Sequence, residues 1–333
     1  MKRKVIKQGH NTLTITLPSK WVEKNTIVPG EEVEVNEQGR GLMVEKNGNG
    51  TGEISSINVD ITGLPPALIW RYVSSAYRLG YDEIRVSGIE AGEKKIYSAF
   101  SYNTLDCLKD STKTSIDKYP LSSMEAVSSC VNRLVGMELI EQKNKYCIIK
   151  DLSEITDKEF HNAIKRIFML LNTEATDIGE GLDGQKEGLK AIHLIDTNLD
   201  RFEDYCFRVL NKKGYEDCKK TSIVYSLVFT LELLGDEFKK LAVHILENKK
   251  KSSSGIRKLY EVQKEQLNLF HKLFFDFDKE LLIKLYRNDK AGTKLAADLH
   301  GKLSEDEIEW LHHFKKIGIY ILSLAELTTD MQF

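Results

Sequence analysis

The spacing of apolar residues changes period twice along the chain. Val5 and Ile6 precede a Gly9 to Asn11 turn signal, and Leu13, Ile15 and Leu17 then alternate with Thr12, Thr14 and Thr16. This period of two marks a half-buried strand. Pro18 stops it, Ser19 can cap a short helix carrying Trp21 and Val22, and Pro29-Gly30 turns the chain before Val33, Val35 and Leu42 to Val44 resume the strand pattern. The spacing therefore predicts four short strands and one helical turn. A polar break from Lys46 to Gly52 reads as a flexible linker.

Beyond the linker the two periods mix. Ile57, Val59 and Ile61 alternate, Pro65 to Leu79 has helical spacing with a proline near the first turn, and Ile84 to Val86 is a short strand. A helix over Met124 to Leu134 ends at Gly136, and strands follow near Glu138 to Glu141 and Tyr146 to Ile149. From Asp157 the period becomes helical: Asp157 to Ile178, Gly184 to Asn211, Tyr215 to Asn248, Ser254 to Phe275, Lys279 to Leu299 and Ser304 to Thr329. Short connections make neighbouring helices antiparallel, which gives paired three-helix bundles. The expected fold is multidomain: a small all-β module over 1–47, a central α+β domain over 53–150, and an all-α tandem of three-helix bundles over 152–333.

Charge separates the parts further. Residues 1–24 hold six basic side chains against Glu23 alone, whereas residues 25–50 hold two against five acids. A local basic edge of this kind suits phosphate backbones, because each neutralised phosphate releases counterions. Edge-strand lysines that block aggregation would look the same in sequence. A module of about 45 residues buries too little apolar surface to stand alone, so a homodimer is expected. The whole chain has 333 residues and a net charge of −2, against a protein that coats nucleic acid throughout. No apolar stretch reaches the length of a membrane span and no apolar leader opens the chain, so a cytoplasmic location is expected. Cys107, Cys130, Cys147, Cys206 and Cys218 form no CxxC pair and read as reduced packing residues.

Two carboxylate pairs lie one helical turn apart, Asp196 with Asp200 and Glu232 with Asp236. Facing helices build oxygen-ligand metal sites from such acids, and solvated helix faces carry the same spacing. His312-His313 point to different faces and make a poor ligand pair, and the basic Lys249 to Lys251 loop reads as solvated. The apolar last helix, from Trp310 to Leu324, reads as core. No nucleophile, base and orienting group stand at a recognisable spacing, so no enzyme is expected.

The N-terminal pattern resembles the swapped-hairpin AbrB and SpoVT regulators: a basic start, Lys4 to Gly9, then Asn11 to Pro18 and Pro29 to Val35. That resemblance implies DNA binding through Arg3, Lys4, Lys7, Gln8, Asn11 and Lys20. The helical half is similar to the PhoU family, whose Glu-Arg-Ile-Gly-Asp box is matched by Glu232-Leu233-Leu234-Gly235-Asp236 and whose second-helix acidic motif is matched by Asp196 to Asp200. Leu233 stands at the box's Arg, and Glu237 follows where His is common. In the last helix Lys315 to Ile319 takes the place of a second box, which implies that one cluster is lost. At most one site for a divalent or iron-type metal is then implied, at Asp196, Asp200, Glu232 and Asp236, with Glu174 or Asp177 as further candidates. Together the halves resemble archaeal regulators that combine both modules. The combination implies a DNA-binding transcriptional regulator of phosphate uptake, with a phosphate transporter subunit or signalling kinase as further partner. The alternative is an adaptor that binds the transporter or kinase and uses its N-terminal module only to dimerise.

Overall fold

The computed structural model describes residues 2–38, 41–46, 54–90, 94–97, 119–153, 157–248 and 251–333. The linker after Lys46, together with Cys107, Lys249 and Lys250, lies outside them. The chain forms two compact units, Met1–Ser55 and Ser56–Phe333.

In the first unit β1 (Ile6–Gln8) pairs antiparallel with β2 (Thr12–Thr14), and β3 (Val33–Gln38) with β4 (Gly41–Lys46). Gly9 supplies the positive φ of the first turn and Gly30 that of the second. Helix α1 (Ser19–Lys24) starts directly after Pro18. Strand β2 ends at Thr14, short of the Leu17 that the alternation suggested. Lys46 ties the module's end to its middle, donating to the Asn25 and Thr26 carbonyls at 3.1 and 3.3 Å and pairing with Glu31 at 2.9 Å. No described side chain of this unit is buried, and Val5, Ile6, Leu13, Ile15, Val28, Val35 and Leu42 are each at least half exposed.

The second unit opens with a four-stranded sheet of order β5-β6-β10-β9, made of β5 (Ser56–Asp60), β6 (Glu83–Ser87), β9 (Met137–Gln142) and β10 (Tyr146–Asp151). Helix α2 (Pro66–Arg78) carries the chain from β5 to its parallel neighbour β6, and β10 is antiparallel to both β6 and β9. Between them β7 (Lys94–Tyr97) and β8 (Tyr119–Ser122) pair as a separate ribbon, and Ser122 and Glu125 form a capping box on α3 (Ser123–Val131). The core joins Ile69, Val73 and Tyr77 of α2 and Val127 and Cys130 of α3 to Val59, Ile84, Val86, Cys147 and Ile149 of the sheet.

Six helices follow: α4 (Asp157–Leu182), α5 (Ile192–Lys213), α6 (Thr221–Glu247), α7 (Ser254–Phe275), α8 (Lys279–Leu299) and α9 (Glu305–Asp330). Single 3-10 turns, Gly188–Ala191 and Cys218–Lys220, occupy the starts that periodicity assigned to α5 and α6. The two trios share one continuous core, because α9 packs chiefly on α6 of the first trio and only lightly on its neighbour α8. Trp310, Phe314, Ile317, Ile321 and Leu324 fill that seam. No described helix is long and apolar enough to cross a membrane.

The α/β domain is fastened to α5 by charge. The fully buried Arg208 donates to the Tyr77 carbonyl at 2.9 Å and to Asp151 at 2.6 Å, with its guanidinium 4.8 Å from the Tyr77 ring centre. Asn211 donates to the Arg78 carbonyl at 2.7 Å, and Lys212 pairs with Asp82. The Arg78 carbonyl, left over at the end of α2, is thus met by a side chain of α5, and the Tyr77 carbonyl adds Arg208 to the Gly80 N–H it already accepts. Burial pushes the Asp151 carboxyl up, but the Arg208 and Ser153 hydrogen bonds hold it below the usual range. Removing one partner of a buried pair leaves the other charge uncompensated. Arg208→Met should lower unfolding free energy by about 3–5 kcal/mol in a denaturant titration. Arg208→Lys should recover little of the loss, because one ammonium cannot repeat the fork.

Candidate functional site

Arg3 and Lys4 precede β1, Lys7 and Gln8 lie on it, Asn11 sits in the turn, and Lys20 is on α1; all six are exposed. Among the described residues, none of the four cations is held in an ion pair. The register pairs Lys7 with Leu13 and Gln8 with Thr12. Side chains alternate between faces of a strand, so Lys7 and Gln8 leave the ribbon on opposite sides. The ribbon therefore divides these two residues between its faces.

The second candidate lies where α5 and α6 meet. Gly235 lies at this contact, where an added Cβ would stand 2.6 Å from Leu199 Cδ1 and force that side chain to shift. Carboxylate oxygens of Asp200, Glu203 and Glu232 come within 4.8 Å of one another. Asp196 and Asp236 are turned aside by Lys239, whose buried ammonium lies 2.8 Å from Asp196 and 2.7 Å from Asp236. The four acids expected together are thus split, with Lys239 standing as a fixed cation in one half and Glu203 joining the other. Glu203 escaped the sequence reading, although Asp196, Asp200, Glu203 and Asp204 recur at 0, 4, 7 and 8 along α5, one stripe of a helix. Glu174 is fully buried beside the Lys239 half, and both of its carboxyl oxygens lack a hydrogen-bond partner among the described residues. Asp177 lies elsewhere, against Gly188.

Burial sets the electrostatics. It pushes the Glu203 carboxyl up to about 9, with Arg78 opposing and Glu232 reinforcing. Glu232 rises to about 7 through burial and the nearby Asp236 and Asp200, and Asp200 rises to about 6 through burial and Asp196. Burial also holds Glu174 well above the carboxylate range. Burial and two attracting aspartates act against one another on Lys239, and the aspartates win, so it stays charged. Asp200 is paired with Arg133 at 2.7 Å and Glu203 with Arg78 at 3.1 Å, which leaves Glu232 the least compensated of the three; an all-oxygen donor set fits a hard cation such as Mg²⁺, Mn²⁺ or Fe²⁺ better than a thiophilic one.

A third polar group crosses the α6–α9 seam. His313 is 2.6 Å from Glu237 through Nδ1 and 2.9 Å from His244 through Nε2, and Lys316 reaches Glu237 at 3.3 Å. His312 faces out, 3.8 Å from Glu309, so the adjacent histidines part as expected. Lys315 and Ile319 are exposed.

The raised carboxyls give stability a sign. Above the unfolded value of about 4 and below its folded value, each of these groups binds more protons folded than unfolded. Their contribution is present at low pH and is lost as pH rises through about 6, 7 and 9 for Asp200, Glu232 and Glu203. The melting temperature measured from pH 5.5 to 9 should fall less steeply in Glu203→Gln and Glu232→Gln than in the wild type.

Comparison with known proteins bears on both ends of the chain. No curated protein matches it. Residues 6–51 match a family model described as antidote-toxin recognition MazE, bacterial antitoxin. Among solved structures, the phosphate transport system regulatory protein PhoU from Streptococcus pneumoniae is similar, with 17% identity and a TM-score of 0.43, over 53% of this chain and 96% of that one. The paired hairpins, the short helix after Pro18 and the family match agree over the same residues: the first unit is a MazE/AbrB-like module.

Proposed function

We propose that this chain is a DNA-binding transcriptional regulator of phosphate uptake that works in the cytoplasm as a homodimer and is not an enzyme. The observation that carries this reading is the MazE/AbrB-like module, in which an exposed basic edge adjoins a row of exposed apolar residues. A second copy, interlaced on Val5, Ile6, Leu13 and Ile15, would cover that row and double the basic edge. Arg3, Lys4, Lys7 and Lys20 suit phosphate contacts, and the amides of Gln8 and Asn11 suit base edges.

The regulatory half of the reading rests on the acidic site. Asp200, Glu203 and Glu232 would hold one divalent or iron-type cation, which supplies positive charge where burial has made three carboxylates costly. The phosphate pathway is suggested by the sequence likeness of the Glu232 to Asp236 box, and a transporter subunit or signalling kinase is a further partner in this reading.

Fluorescence anisotropy on DNA from the chain's own upstream region, titrated across salt, tests the proposal. Tight binding with a steep salt slope is expected. Lys4→Ala/Lys7→Ala should weaken it and flatten the log–log slope by about 1 per lysine. Weak binding indifferent to both lysines would leave the module as a dimerisation device, with the transporter-binding adaptor as the function.

A further inference from the structure

Each of two arginines of the α/β domain straddles the acidic stripe of α5. Arg78, at the end of α2, donates through Nε to Asp204 and through Nη2 to Glu203 at 3.1 Å. Arg133, just past α3, donates through Nη1 to Asp200 at 2.7 Å and through Nη2 to Asp204 at 3.2 Å. Asp204 is fully buried and spends both oxygens on the pair. Rings hold both guanidiniums in place: Arg78 lies 5.2 Å from the Phe207 centre and Arg133 5.0 Å from that of Trp70. Each arginine therefore has one arm on Asp204 and the other on a carboxylate of the Asp200, Glu203 and Glu232 group.

We propose that Arg78 and Arg133 form a latch in which their guanidiniums and a divalent cation compete for Asp200 and Glu203, so that cation binding loosens the α/β domain from α5. This rests on the cation reading of that group given above. A doubly charged ion among these acids would stand beside two fixed positive charges in a poorly hydrated place, where like charges repel strongly. The Arg208, Asn211 and Lys212 contacts lie one to two turns further along α5 and touch none of the three acids. They remain as a hinge when the latch opens. The α/β domain begins at β5, to which the DNA-binding module is joined through the chain, so a pivot there moves the module's point of attachment.

Calorimetric titration of the full chain with Mn²⁺ tests the latch in the wild type, in Arg78→Gln/Arg133→Gln and in Arg133→Gln alone, each checked for intact helicity. Arg133→Gln removes the guanidinium on Asp200 yet leaves Asp204 and all three cation acids in place, so it decides the matter should the double variant fail to fold. Both variants should bind Mn²⁺ tighter than the wild type, the double variant roughly ten-fold, within the usual range of coupling between sites. Hydrogen exchange should show Mn²⁺ speeding exchange at the end of α2 and after α3 in the wild type, while residues 208–212 keep their protection. Equal or weaker binding by the variants would overturn the latch and make the arginines organisers of the site. Absence of Mn²⁺ binding in all three proteins would remove the cation reading itself, and the latch with it.

Discussion

A helix that turns Asp196, Glu203 and Asp204 into the interior, with Asp200 half inside, must have those carboxyls met by positive charge or protonated, since an unpaired buried carboxylate costs far more than a hydrogen bond returns. Helix α5 draws its cations from two directions. Lys239 of α6 takes Asp196, and Arg78 and Arg133 of the α/β domain take Asp200, Glu203 and Asp204. Further along, the sign reverses and α5 offers Arg208 and Lys212 to Asp151 and Asp82. Matched charge thus joins the α/β region to the helical body, beside apolar packing such as that of Val135, and Glu232 and Glu174 are the acids left with the least compensation. Such an interface is specific in register and sensitive to added ions, qualities that a seam of leucines lacks.

Much of this architecture was legible in the sequence, because most of it follows from period and punctuation. Pro18, Pro29-Gly30, Pro66, Gly136, Gly184 and Gly214 mark real boundaries, and the change of period near Asp157 marks the start of α4. The starts of α5 and α6 lie several residues later than periodicity suggests, since each helix is preceded by a 3-10 turn, the first of which buries Leu189 at nearly helical spacing. The merging of two trios through α6 and α9 was not visible, for periodicity says which face of a helix is buried but not against which helix. The same limit hid the acid site. Asp200 and Glu232 were legible as i,i+4 acids, and Lys239 stands i,i+3 from Asp236, but its capture of Asp196 depends on where one long side chain reaches across a helix pair. The arginines lie 67 and more residues from their partners and carry no local signal.

The N-terminal module shows the opposite balance. Its turns and strands are written plainly in the sequence, yet its apolar residues find no interior within one chain. Local rules specify its hairpins, but the described residues of one chain close no core around them. The larger unit, by contrast, closes two cores of its own.

The end of α2 has a consequence for how the protein is made. Its last carbonyls are met by Arg208 and Asn211, 131 and 133 residues later in the chain. Synthesis at about 5–20 residues per second delivers those partners several seconds after α2 has left the ribosome. Until then the Arg78 carbonyl and the Asp151 carboxylate stand without their α5 partners, so a chain truncated before Arg208 would carry the α/β core with those polar groups unmet.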